Sequence, residues 1–169
     1  MDNLMIVLRL LHILGGMFWI GSTILMVLFI LPSVHATRDS GHKFLGHFLL
    51  KTHYGRLLGL SAVLTMLAGA SLYWIDSAGF TSNWTRSGPG WGFGIGGIFG
   101  IIGFISGNRF GHNIMTFGRT AAQIDGQPTA EQRASIDAAQ KSLGTLGTIS
   151  TYALILALVC MATARYWRF

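Results

Sequence analysis

Apolar residues gather into four long runs, at 4–31, 54–75, 91–115 and 146–164, with polar connections between them. The third run is strongest at 91–105 and weaker beyond. A hydrocarbon core about 30 Å thick is crossed by about 20 helical residues rising about 1.5 Å each. Each run therefore predicts a membrane-spanning segment, the first ending at Pro32. Lipid offers no hydrogen-bond partners, so a spanning segment must satisfy its own backbone, and helices do this. The expected fold is all-α: one domain over residues 1–169, a polytopic, antiparallel four-helix transmembrane bundle with cytoplasmic helical extensions. The first run is longer than a signal-peptide core, and Met1-Asp2-Asn3 carries no basic residue, so a retained helix is expected.

The connections are distinct in character. Residues 76–90 carry Gly79, Ser82, Asn83, Ser87, Gly88, Pro89 and Gly90, which is loop chemistry. Asp125-Gly126-Gln127-Pro128 predicts a turn, and Thr129 with Gln132 predicts a capping box. A polar helix over 130–142 would then feed the fourth span. In the first connection His42, Phe44, Leu45, Phe48, Leu49 and Lys51 predict an interfacial helix leading into the second span.

Composition agrees with this pattern: 51% of the 169 residues are hydrophobic, 11% are charged, and the mean hydropathy is +0.52. A soluble domain carries about 25% charged residues. The net charge of +6 raises the question of nucleic acid. The cations, however, flank the apolar runs instead of forming one block, so no nucleic-acid partner is expected. Arg38, Lys43, Lys51, Arg56, Arg109, Arg119, Arg133 and Lys141 fall in the first and third connections; Arg9, Arg86, Arg165 and Arg168 fall on the other side. The excess predicts those two connections in the cytoplasm and both termini outside. Tyr73, Trp74, Trp84, Trp91, Tyr166 and Trp167 would all lie at the outer headgroup level. Cys160 has no second cysteine to pair with and is expected to pack.

Glycine marks the helix-packing faces. In the third run Gly96, Gly100, Gly103, Gly107 and Gly111 recur at spacings of three and four; in the second, Gly55, Gly59, Ala62, Met66 and Gly69 form a comparable stripe. Small residues let helices approach closely in lipid. Alternatively, such space accommodates a flat cofactor or a partner subunit.

One ionisable residue stands out chemically. His12 lies about eight residues into the first run, a depth at which such groups are functional candidates by default. Arg9, His12, Gly16, Trp19 and Thr23 share one helical stripe. Neutral imidazole ligates metals, glycine leaves room for a macrocycle, and a guanidinium suits a propionate. Haem b is the expected cofactor, with Met66 of the second run, at matching depth, as the second axial ligand, or with a five-coordinate iron or a site completed by another protomer. A chlorophyll-type pigment would make the same demands. Without any cofactor, His12 would hydrogen-bond between helices while Arg9 reached the headgroups. His35, His42, His47, His53 and His112 share the cytoplasmic side at spacings that match no helical metal motif. No acidic residue lies inside a span and no nucleophile–base pair is evident, which argues against catalysis by side chains alone.

Residues 8–21 (LRLLHILGGMFWIG), 67–80 (LAGASLYWIDSAGF) and 161–167 (MATARYW) resemble a group of small bacterial integral membrane proteins that brings no established activity. The H-x-x-G-G-x-x-W-x-G run is similar to the opening helix of CopD-like, copper-resistance-type membrane domains. That resemblance rests on His12, Gly15, Gly16, Trp19 and Gly21. It implies copper handling or, in related bundles, haem, although the Met and His clusters of a copper importer are missing here. The functions expected are a small membrane redox or cofactor-binding protein, or a non-catalytic accessory subunit of a respiratory or photosynthetic complex. Its partners would be the lipid bilayer with other membrane subunits or copies of itself.

Overall fold

A computed structural model describes residues 2–122 and 129–168; within these, nothing is described of the side chains at 2, 38, 39, 42, 118–122, 132, 133, 135–137, 139 and 140. The expected turn at 125–128, the Gln132 half of the capping box and the His42 side chain lie outside the described residues. The elements are α1 (Asp2–Leu25), a π-helical turn (Met26–Ile30), α2 (Leu31–Lys51), α3 (Tyr54–Asp76), a 3₁₀ turn (Asn83–Arg86), α4 (Gly88–Ala122), α5 (Ala130–Thr163) and a last 3₁₀ turn (Ala164–Tyr166). There is no strand among the described residues. Four helical stretches are long and apolar enough to cross a membrane: Asn3–Thr37, Tyr54–Asp76, Gly88–Phe117 and Lys141–Tyr166.

The first boundary differs from expectation. Pro32 does not end the helix; it sits in the first turn of α2, directly after the π turn. A proline inside an α-helix removes one N–H and drives its ring against the carbonyl four residues earlier. Here that carbonyl belongs to Leu28, within the widened turn, where the Leu31 N–H reaches back to Met26 O. The extra residue in the turn relieves the clash, and the helix runs on. Within α2 the chain bends sharply, bringing Gly41 against Val34, and α2 ends before Thr52, whose backbone is extended (φ −106°, ψ 169°) and whose Oγ1 accepts the Tyr54 N–H at 3.2 Å.

The helices pack in two close pairs. Contacts between α1 and α3 run in opposite order along the two: His12 meets Thr65, Gly15 meets Ser61, and the Tyr54 hydroxyl donates to Ser22 O at 3.2 Å. Contacts between α4 and α5 do the same, from Gly92 against Ala164, through Gly103 against Leu154, to Asn113 donating to Ser142 Oγ at 2.9 Å. One buried cluster, Trp19, Ala62 and Leu154, joins the pairs midway. A second, Met26, Val34, Leu45, Leu49, Ile114, Phe117 and Leu143, lies where α2 folds against α4 and α5. A helix is thus present in the first connection, and it buries Leu45 and Leu49 in protein. At the opposite end Tyr73 meets Trp84 edge-on and its hydroxyl donates to Gly90 O, while Trp167 closes over Gly88 and Gly92. The turn after α3 passes through left-handed backbone at Ala78, Gly79 and Phe80 (φ 48°, 68° and 68°).

Candidate cofactor site at the seam of α1 and α3

His12 reaches across the seam because α3 lacks a side chain where the ring lies. A Cβ on Gly69 would stand 2.7 Å from His12 Cε1 and 2.8 Å from Nδ1. One turn earlier, stacked beneath Gly69 on the same helix face, Thr65 offers its carbonyl oxygen to His12 Nδ1 at 2.8 Å. A carbonyl can only accept, so Nδ1 carries the proton. In the neutral ring Nε2 then holds the lone pair. A metal-ligating histidine characteristically donates its other N–H to a carbonyl, which fixes tautomer and ring orientation. The same bond also serves as a plain tie between helices, worth about 0.5–2 kcal/mol in a membrane protein.

Around this bond the seam is close-packed. The Thr65 hydroxyl turns back to Ser61 O at 2.7 Å. A Cβ on Gly15 would stand 2.7 Å from Thr65 Oγ1, and one on Gly16 would stand 3.4 Å from Thr65 Cγ2. The space expected beside Gly16 for a macrocycle therefore holds the Thr65 methyl. Trp19 is a core residue, 5% exposed and edge-on to Phe104 at 6.0 Å, and the Thr23 hydroxyl donates to Trp19 O at 2.8 Å. Met66 packs against the Trp19 cluster, its Sδ 3.8 Å from where a Gly100 Cβ would be, and no hydrogen bond joins it to His12 among the described residues. Arg9, one turn outward from His12, is exposed. The predicted stripe is thus one face of α1 that sinks from exposed Arg9, through half-buried His12, to buried Gly16, Trp19 and Thr23.

Three glycines of the α4 stripe, Gly96, Gly103 and Gly107, face α5, whereas Gly100 faces Met66 of α3. A Cβ on Gly96 would meet Met161 Cγ at 2.7 Å, one on Gly103 would meet Leu154 Cδ2 at 2.6 Å, and Gly107 faces Ser150 Oγ at 3.1 Å; Gly111 faces open space. On α3 the stripe divides, with Gly55 and Gly59 open, Ala62 buried and Gly69 under His12. His35, His47, His53 and His112 are exposed, and among the described residues no three His, Cys, Asp or Glu gather to hold a metal ion. Cys160 is free and half-buried. Sequence reasoning missed Thr65, because a backbone acceptor leaves no mark on residue identity. No family model, curated protein or solved structure matches this chain.

Proposed function

We propose that this chain is an inner-membrane protein whose four long helices form an antiparallel transmembrane bundle, and that it binds haem b through His12. The membrane reading is supported by where the apolar surface lies. The most hydrophobic windows are only 17–33% buried, and Ile6, Leu10, Ile13, Met17, Leu60, Leu67, Ile98, Leu158 and many similar side chains are exposed. Water would make such a surface costly, whereas lipid solvates it. Orientation follows the charge count, with both termini and the aromatic cluster outside.

The observation that carries the cofactor reading is the Nδ1 bond to Thr65 O, which leaves Nε2 able to ligate. The donor chemistry fits: His12 Nε2 would hold the group, and exposed Arg9, one turn away, would meet a propionate. Met66 packs against the Trp19 cluster and the Thr65 methyl lies beside Gly16, so from this chain His12 and Arg9 are the residues that would hold the group. Bound haem would supply one-electron transfer within the membrane. The residues of this chain hold the ring tautomer, orient the imidazole and exclude water from the seam. The similarity of the first helix to CopD-like domains belongs to this reading. A chlorophyll-type pigment would use the same atoms.

A second reading, an accessory subunit without cofactor, is favoured by a separate observation: Thr65 and α5 fill the spaces beside Gly16 and along α4. One experiment divides the two. Protein purified in mild detergent is expected to show a Soret band and resolved reduced bands, both lost in His12→Ala. A colourless, stable protein that copurifies with stoichiometric membrane subunits would defeat the haem reading and favour the accessory one. A near-infrared band would reassign the site to a pigment.

A further inference from the structure

On the opposite flank of the α1–α3 seam from the Arg9 stripe, the two helices part to form a groove of about 320 Å³. Leu10, Leu14 and Phe18 line one wall, and Leu57, Leu60 and Leu64 the other. No polar side-chain surface lines it. It follows α3 from Leu57 to Leu64, about 10 Å at 1.5 Å per residue. Its floor is set by Gly15, over which Ser61 O and Thr65 Oγ1 close the seam, so the groove stays shallow and elongated. Such a shape accepts a flexible chain better than a planar ring.

What lies at its end identifies the occupant. Leu57 is the first groove residue on α3, and Arg56 precedes it directly; His53 lies one turn earlier, and Lys51 ends α2 just before the break at Thr52. All three side chains are exposed, and none has a hydrogen-bond or ion-pair partner among the described residues. Thr52 and His53 cap the start of α3, so the Lys51 and Arg56 cations and the His53 imidazole are gathered by the α2–α3 corner itself. No acidic residue occurs between Asp39 and Asp76 to neutralise them. An apolar slot along a membrane-spanning helix that opens onto unpaired cations at the headgroup level complements one ligand class in both parts. Basic pockets between spanning helices recognise anionic lipid headgroups in this manner.

We propose that this groove and corner form a binding site for one anionic phospholipid, its acyl chain between α1 and α3 and its phosphate at Lys51, His53 and Arg56. The site rests on the membrane reading above but not on the haem. Each cation near a membrane surface contributes about 1 kcal/mol toward an anionic headgroup, or about fivefold in affinity. The full-length protein in mild detergent, titrated with phosphatidylglycerol or with phosphatidylcholine of the same chains, is read by native mass spectrometry. One phosphatidylglycerol per chain should be retained, about 25-fold more tightly than phosphatidylcholine, from the Lys51 and Arg56 contributions together. The combined Lys51→Gln, His53→Gln and Arg56→Gln substitutions should erase that preference, and Leu60→Trp should weaken retention of both lipids by filling the slot. Equal retention of the two lipids, or a preference untouched by the triple substitution, would overturn the site. So would displacement of the lipid by inorganic phosphate alone, which would make the corner a phosphate site with no use for the groove. Failure of the membrane reading would appear separately, as release of the protein from membranes washed with alkaline carbonate.

Discussion

The two helix pairs solve the same problem by different means. Between α4 and α5 the backbones are brought together by absent side chains: Gly92, Gly96 and Gly103 each face a partner so near that an added Cβ would collide. Between α1 and α3 the contact is narrower and partly polar, with His12 bonded to Thr65 O and Tyr54 to Ser22 O, and the flank opens into a groove. Lipid tails are as apolar as leucine, so in the bilayer proposed for this chain neither pair would gain from burial as it would in water. Close packing gives the α4–α5 pair rigidity; hydrogen bonding gives the α1–α3 pair a fixed imidazole and leaves surface for ligands. In the proposed reading the bundle keeps its scaffold and its chemistry on separate seams.

Substitutions can break that division. The largest effect is expected from Gly103→Val, which forces atoms into Leu154, only 1% exposed. Overpacking of this kind costs about 1–3 kcal/mol. It should lower the thermal midpoint in detergent while leaving the His12 environment intact in the molecules that remain folded. Gly69→Ala comes next. Its methyl would strike the imidazole, so the Thr65 bond should be lost, at a cost of about 1 kcal/mol. Any absorption band that depends on His12 should shift or weaken. His12→Ala should cost a similar or smaller amount, about 0.5–1.5 kcal/mol, because removing the ring leaves the backbone-bonded Thr65 carbonyl without a large void. It should abolish such a band outright. Least of all, Gly59→Ala, on the open part of the α3 stripe, meets nothing within 4 Å. It should be neutral or stabilise by up to about 1 kcal/mol through helix propensity. A large loss there would show that a partner helix occupies this face.

The helices were the most legible part of the sequence, since hydropathy and length alone locate all four long apolar stretches. Glycine spacing also pointed correctly to close contact in α4, although it could not reveal that α5 would be the neighbour. Pro32 misled because a proline is read as a stop. The π turn that accommodates it arises from backbone geometry no single residue encodes. At the site, depth singled out His12 and periodicity placed Arg9, Gly16, Trp19 and Thr23 on its face. The partner atoms were hidden, because the Thr65 carbonyl is backbone and Gly69 acts by omission. Met66 was chosen by equal depth on facing helices, a rule blind to rotation about the helix axis. In the structure that rotation turns Met66 toward Gly100 and the Trp19 cluster.

The chemical role of the α1–α3 seam depends on whether the Nε2 edge of His12 is used. Haem b titrated into the purified protein in mild detergent, followed at the Soret band, tests this most directly. Saturation at one haem per chain is the predicted result for the wild type and Gly59→Ala, with no saturable binding in His12→Ala of near-normal thermal midpoint. Saturation by His12→Ala equal to that of the wild type, or no saturable binding by either, would contradict it.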